Sequence, residues 1–209
     1  MRKSLPKIQK KYENDLKIYG QSHRGVGWPR KKDAIKRHEV MSKLIKNKRS
    51  GNSILDLGCG LSHFYKYLKL KKFKIKYIGV DISSKMIAIS KKRYPNNLYY
   101  FLDILKDHSK IPKVDYITIN GLFTYKGNYS NKLMLKFVKN ILKISASKAK
   151  IGISFNVFSE SADWKDKKLF YLNLKTITDF ICKHIGNKFI VNHDYGLYEY
   201  TIFIYKTVR

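Results

Sequence analysis

The chain reads as an α/β domain, a mostly parallel sheet with helices on both faces that finishes in an antiparallel hairpin. Three observations carry this reading. From Ser53 onward, short apolar runs alternate with longer amphipathic stretches, the rhythm of strand–helix units packed in layers. The first run, SILDL, empties into Gly58-Cys59-Gly60, a turn that only residues without a Cβ make sharply enough to join a buried strand to a helix. The last two apolar runs are separated only by Asp194-Tyr195-Gly196, too short for a crossover and suited to a hairpin.

Lys7 to Tyr19 is expected to be helical, ending at Gly20. QSHRGVGWPRK follows as a loop punctuated by Gly25, Gly27 and Pro29. Trp28 stands out in that polar setting, either as a staple to the core or as a wall of a ligand site. Between Lys32 and Lys46, the residues Ala34, Ile35, Met41, Leu44 and Ile45 recur at helical spacing. Asp33 near the start of that helix and Lys46 near its end suit its dipole. Strands are then expected over Ser53–Leu57, Lys76–Asp81, Leu98–Leu102, Val114–Asn120 and Lys150–Val157. Helices are expected over Leu61–Leu70, Ser83–Arg93, Asn131–Ser145 and Asn173–Ile185, with Ser83 or Ser84 as a cap. Strands Lys188–His193 and Leu197–Lys206 form the closing hairpin. Residues 1–50 read as an N-terminal helical lid and residues 51–209 as the core of a single domain.

At 209 residues and 44% hydrophobic composition the chain can bury a proper core, and it is not a disordered sequence. No apolar run approaches the roughly 20 residues of a membrane span. The basic start lacks the apolar region of a secretory signal, so a cytoplasmic location is expected. Cys59 and Cys182 alone make no disulfide framework or zinc site, and no carboxylate–histidine cluster stands at ligand spacing, so no metal is expected. The charge is unusual: 44 Lys plus Arg against 15 Asp plus Glu, a formal +29. Such an excess points either to an acidic partner (nucleic acid, an anionic lipid surface, a phosphorylated substrate) or to a solvated lysine surface. It weighs against a cationic substrate.

The glycine turn admits two readings. A dinucleotide site has G-x-G-x-x-G and an acidic residue about 20 positions on. Here His63 occupies the third glycine's place, while Asp81 ends the second strand, ready to accept from ribose hydroxyls. Three features shift the balance. Asp56, just before the glycines, would crowd a pyrophosphate but suits a cationic or amino-acid ligand. Asp103 ends the third strand, placed to bond an exocyclic amine. The antiparallel finish departs from the all-parallel dinucleotide fold.

With ILDLGCG, GVD and FLD in that order, the chain resembles the class I methyltransferases that use S-adenosyl-L-methionine. The resemblance runs from Ile54 to the C-terminus. It implies a Rossmann-like sheet of seven strands with the last antiparallel. It also implies that Gly58 and Gly60 pass under the amino-acid part of the cofactor, with Asp56 holding the turn or the ammonium. Asp81 would bind the ribose, Ile82 pack on the adenine, and Asp103 with Ile104 hold the adenine amine and face. Asn120, with Gly121 and Leu122, would line the methyl-transfer cleft.

The segment Asn120–Phe123 reads NGLF and lacks the prolines of the NPPF or DPPY tetrapeptide found in amine methyltransferases of nucleic acids, which argues against base N-methylation. HRGVGW, NGLFTYK and HDYGLYEYTIFIYK resemble a group of small bacterial methyltransferases, some found among surface-glycan and capsule genes. That weaker resemblance implies a role in polysaccharide biosynthesis and a small anionic acceptor: a sugar, a nucleotide-sugar or a phosphorylated precursor, methylated on O or N. Candidates for a general base are His193, His63 and Glu199. His23, Arg24 and Trp28, with Arg37, are expected to close over the cofactor carboxylate or an acceptor phosphate, and Phe123 and Tyr195 complete the expected acceptor contacts. Two rivals stand beside this reading: a tRNA or rRNA methyltransferase, suggested by the charge, and a non-catalytic cofactor-fold protein. A basic stripe beside an open cleft favours RNA, whereas a pocket closed by His23–Trp28 favours a small acceptor.

Overall fold

The computed structural model describes residues 6–49 and 51–206. The expectations for residues 1–5, 50 and 207–209, at the ends of the lid and core segments, lie outside the described residues. The chain runs α1 (Pro6–Tyr19), α2 (Lys31–Ser42), β1 (Ser53–Leu57), α3 (His63–Leu70), β2 (Lys76–Asp81), α4 (Ser84–Arg93) and β3 (Leu98–Phe101). It continues α5 (Ile104–Asp107), β4 (Val114–Ile119), α6 (Asn131–Lys148), β5 (Ala149–Ser159), β6 (Tyr171–Leu172), α7 (Leu174–His184), β7 (Phe189–Asn192) and β8 (Glu199–Tyr205). The sheet order is β3-β2-β1-β4-β5-β8-β7, with β6 attached to β5. All pairings are parallel except those of β8, which is antiparallel to both β5 and β7.

Each central strand faces both layers, because successive side chains point to opposite faces. Leu55, Ile78, Ile117, Ile153 and Ile202 join a core with α6 and α7, while Ile54, Tyr77, Tyr116 and Phe203 join a second core with α2, α3 and α4. Asp115 ties the starts of β1 and β4 together, its Oδ2 accepting from the Ser53 N–H at 2.8 Å and the Ser53 hydroxyl at 2.9 Å.

The differences from expectation have local causes. The seven expected strands make up the continuous path of the sheet, and among the described residues a two-residue strand, β6, is added beside it, pairing Phe158 and Ser159 with Tyr171 and Leu172. Strand α-helix boundaries also move: α3 starts at His63 rather than Leu61, because Ser62 is left-handed at φ 56° and prolongs the turn. The second helix stops at Ser42, and Leu44 and Ile45 bond Met41 and Ser42 carbonyls in tighter turns. On α2 the expected core residue Ile35 is exposed, whereas Arg37 and His38 are buried. Ser83 is the α4 cap, its hydroxyl accepting from the Met86 N–H. Between β7 and β8 the loop spans 193–198, wider than the three residues expected.

The strand order places the site. It reverses at β1, with β2 on one side and β4 on the other, and the crevice beyond the carboxyl ends of such strands is where ligands bind in open α/β sheets. The start of antiparallel β8 reaches the same rim, since Glu199 pairs with Phe158 near the end of β5.

Candidate active site

The turn after β1 is fastened to the end of β2. Gly58 and Gly60 have φ of 77° and 51°, and the N–H groups of Gly58 and Cys59 both donate to the Val80 carbonyl, at 2.8 and 3.1 Å. Asp81 accepts from two backbone donors, the Gly60 N–H on Oδ2 and the Ser83 N–H on Oδ1, each at 2.8 Å. The Ser90 hydroxyl of α4 donates to the Gly60 carbonyl at 3.1 Å. A Cβ on Gly60 would lie 3.2 Å from Val26 Cγ1, so the segment before α2 rests directly on the turn. Asp56 is buried and accepts from the Tyr77 hydroxyl at 2.6 Å; burial pushes its pKa up to about 7 against the opposing pull of that hydrogen bond. Burial also raises Asp81, with its backbone donors pulling the other way.

Over this rim lies a cavity of about 720 Å³. It brings together Asp56, Gly58, Gly60, Asp81, Ile82, Asp103, Ile104 and Asn120 from the strand ends, and His63, Trp28 and Arg37 from the turn and the N-terminal segment. Asp103 caps α5 with Oδ1, which accepts from the Leu105 N–H at 3.0 Å, and its Oδ2 is buried without a partner. Asn120 Oδ1 is likewise buried and unpartnered. Such atoms are costly unless something donates to them, which is how a ligand site differs from a packed core. His63 Nε2 lies 3.3 Å from the Gln21 carbonyl, and burial lowers the ring's pKa to about 4, so it is neutral at pH 7.

The other expected site residues stand elsewhere. Phe123 has no exposed surface: the Thr124 hydroxyl closes a turn onto the Gly121 carbonyl at 2.7 Å, and Phe123 packs edge-on against Phe137 and Phe155 in the core. His193 is exposed, its ring edge-on to Tyr200 at 6.0 Å, and does not line the cavity. His23 does not line it either: its Nδ1 lies 2.8 Å from the Trp28 carbonyl and shapes the loop, and Arg24 is exposed. Glu199 is fully buried with Oε1 2.9 Å from Arg37 Nε, and Tyr195, beside this pair, bonds Thr201 Oγ1 at 3.0 Å. The Arg37 guanidinium lies 4.2 Å from the Trp28 ring, and Trp28 in turn sits so close to Gly121 that a Cβ there would be 2.4 Å from Cζ2. Glu199 therefore holds Arg37, and through it Trp28, against the turn after β4.

Sequence reasoning missed several walls of the cavity. Tyr12 of α1 packs edge-on to Tyr125, and Glu13 accepts from the Ser83 hydroxyl at 2.9 Å, so α1 reaches the residues that follow Asp81. Trp164, Asp166 and Tyr198 line the opposite side. Trp164 carried a readable signal, the same one as Trp28: a large aromatic stranded in a polar stretch, ESADWKDKK. The charge on the walls is also unlike that of the whole chain. Lys11, Arg30 and Arg37 face five carboxylates, those of Asp33, Asp56, Asp81, Asp103 and Asp166. The positive excess of the molecule does not continue into its cavity.

Comparison with known proteins decides the family. Residues 48–174 match the family described as a methyltransferase domain. The chain belongs to that methyltransferase family. This methyltransferase is 27% identical over 157 residues to Rv1506c of Mycobacterium tuberculosis, provisionally named a methyltransferase, a match spanning 74% of the chain and 93% of the relative. In fold it is similar to magnesium protoporphyrin IX methyltransferase from Synechocystis, solved with S-adenosylmethionine bound (TM-score 0.59, 14% identity, 94% of this chain and 84% of that one). It is also similar to an amino pentose methyltransferase from Micromonospora echinaspora, again with S-adenosylmethionine bound (TM-score 0.63, 10% identity, 91% and 97%).

Proposed function

We propose that this methyltransferase moves a methyl group from S-adenosylmethionine to an oxygen or nitrogen of a small molecule held beneath its N-terminal segment, which serves as a lid. One observation carries the reading: the strand-end carboxylates and the glycine turn open into the same cavity as Trp28 and Arg37 of that segment. S-adenosylmethionine is the cofactor, and when bound it supplies an activated methyl on a cationic sulfur. The residues fit it. Bare glycines at 58 and 60 admit a close backbone approach, and Asp81 keeps lone pairs for ribose hydroxyls beyond the two backbone donors it already accepts. Asp103 Oδ2 awaits a donor such as the adenine amine, and the carboxylate-rich wall suits a cationic sulfonium. Asn120 Oδ1 would orient the acceptor's N–H or O–H, and His63, neutral at pH 7, would take the proton.

The test is calorimetry with S-adenosylhomocysteine on the parent and on Asp81→Ala. Micromolar binding is expected, weakened about 10- to 100-fold in the variant, the range for losing a hydrogen bond to a charged group. A folded parent that binds nothing would overturn the proposal. The +29 charge favours a second reading, tRNA or rRNA as acceptor. It requires tRNA affinity that falls steeply with salt and methyl incorporation into RNA. The surface-glycan precursor expected from the sequence is tested beside it with a phosphorylated sugar.

A further inference from the structure

We propose that the acceptor is an uncharged, planar aromatic molecule, gripped among Trp28, Phe158, Trp164 and Tyr198; this rests on the methyltransferase reading above. The four side chains come from separate places in the chain: the segment before α2, the end of β5, the loop after it and the loop before β8. All four line the cavity, and the pairing of β8 with β5 brings Tyr198 beside the end of β5, the Ser159 N–H donating to the Tyr198 carbonyl at 2.9 Å. The loop carrying Trp164 is turned back onto the rim, where the Phe170 N–H bonds the Thr124 carbonyl at 2.9 Å and the Lys126 N–H bonds the Lys168 carbonyl at 2.9 Å. These walls stand over β4, β5 and β8, on the far side of the strand-order reversal from Asp81 and Asp103, so they belong to the acceptor half of the cavity.

Two of the rings are left open to a ligand. Trp164 and Tyr198 are 57% and 51% exposed, and neither pairs with another aromatic ring among the described residues. Large apolar surface held at the mouth of a cavity is surface for a ligand to cover, and rings prefer rings at stacking or edge-on distances. Charge decides against an anion. On the acceptor half, Arg37 is neutralised by Glu199 and lies against Trp28. Lys11, the wall cation on α1, is paired with Asp15 at 2.5 Å and lies over the Tyr12 ring. That leaves Arg30 against Asp33 and Asp166, which offers no net attraction to a phosphate.

The test titrates the S-adenosylhomocysteine-loaded protein by calorimetry with three probes: naphthol, its fully saturated analogue decalinol, and a hexose phosphate. Naphthol is expected to bind about tenfold more tightly than either of the others. Trp164→Ala and Tyr198→Ala, both on exposed side chains, should each weaken naphthol about 2- to 10-fold while leaving S-adenosylhomocysteine affinity unchanged. Tighter binding of the hexose phosphate, equal binding of decalinol, or variants that bind naphthol like the parent would each overturn the proposal. Loss of S-adenosylhomocysteine binding by the parent would instead overturn the methyltransferase reading, which keeps the two failures distinct.

Discussion

Single residues set the sharpest demands in this structure. Gly121 has φ of 81° and lies under the Trp28 ring, so Gly121→Ala adds both backbone strain and a 2.4 Å clash. A loss of about 1–3 kcal/mol is expected in urea unfolding, partly recovered in the double variant with Trp28→Ala, which removes the clash and keeps the strain. His38 is buried beside Phe64 and Tyr67, and burial lowers its pKa from 6.5 to about 3. The unfolded chain therefore binds a proton that the folded one refuses, and stability present above pH 6.5 is lost as pH falls toward the folded value. Asp56 works in the opposite direction: with a folded pKa of about 7 against 3.8, its contribution is full at low pH and is lost as pH rises through 7. Near pH 5 each group contributes about 1.4 kcal/mol per pH unit, so His38→Gln should flatten the acid loss of stability and Asp56→Asn should steepen it. At this scale the strand-end carboxylates Asp56, Asp81 and Asp103 were legible in the sequence, because a carboxylate at three successive strand ends is a pattern that local reading can see. Phe123 was not. Nothing in NGLF says that the turn closed by Thr124 sends that ring into the core rather than the cleft.

Elements were legible where their period was long and their ends were marked. β1 and β2 lie where the sequence put them, SILDL running straight into Gly58 and KYIGVD into Ile82 and Ser83, and of the two expected caps, Ser83 and Ser84, it is Ser83 that caps α4. The two-residue β6 has no pattern of its own, and it exists because the loop after β5 is brought back to Thr124 and Phe158 by long-range contacts. The same loop places Trp164 and Asp166 in the cavity, which is why those walls escaped sequence reading. The Arg37–Glu199 pair joins α2 to β8 across most of the chain, and only the folded sheet makes it visible. α1 touches the cofactor half through Glu13 and Ser83, and the loop after it presses Val26 on Gly60. Amide exchange in α1 should therefore slow at least several-fold when S-adenosylhomocysteine binds, while exchange in α7, remote from the cavity lining, should not change.

For the whole molecule, ligand binding to the folded state alone raises stability by mass action. S-adenosylhomocysteine at 100 times its Kd adds about 2.7 kcal/mol, which for a chain of this size raises Tm by about 5–11 °C. Thermal scans with and without the ligand check this, and Asp81→Ala should remove about half or more of the rise at the same concentration. Charge is distributed on this scale as well. The cavity walls carry five carboxylates against three cations within a chain of +29, so the lysines act on the outer field and leave the interior of the site to its carboxylates and rings.

The position of β8 carries one more consequence, in the time domain of synthesis. Chain order makes β8 after β7, yet it sits inside the sheet, between β5 and β7, and six of its seven residues are buried. Until residues 199–205 leave the ribosome, the long flank of β5 stays unpaired and β7 has nothing to bond. A nascent chain paused before Glu199 would present an apolar strand edge, the kind that pairs with other chains. The sheet can close only after translation has passed Tyr205, because β8 is the strand that joins β5 to β7.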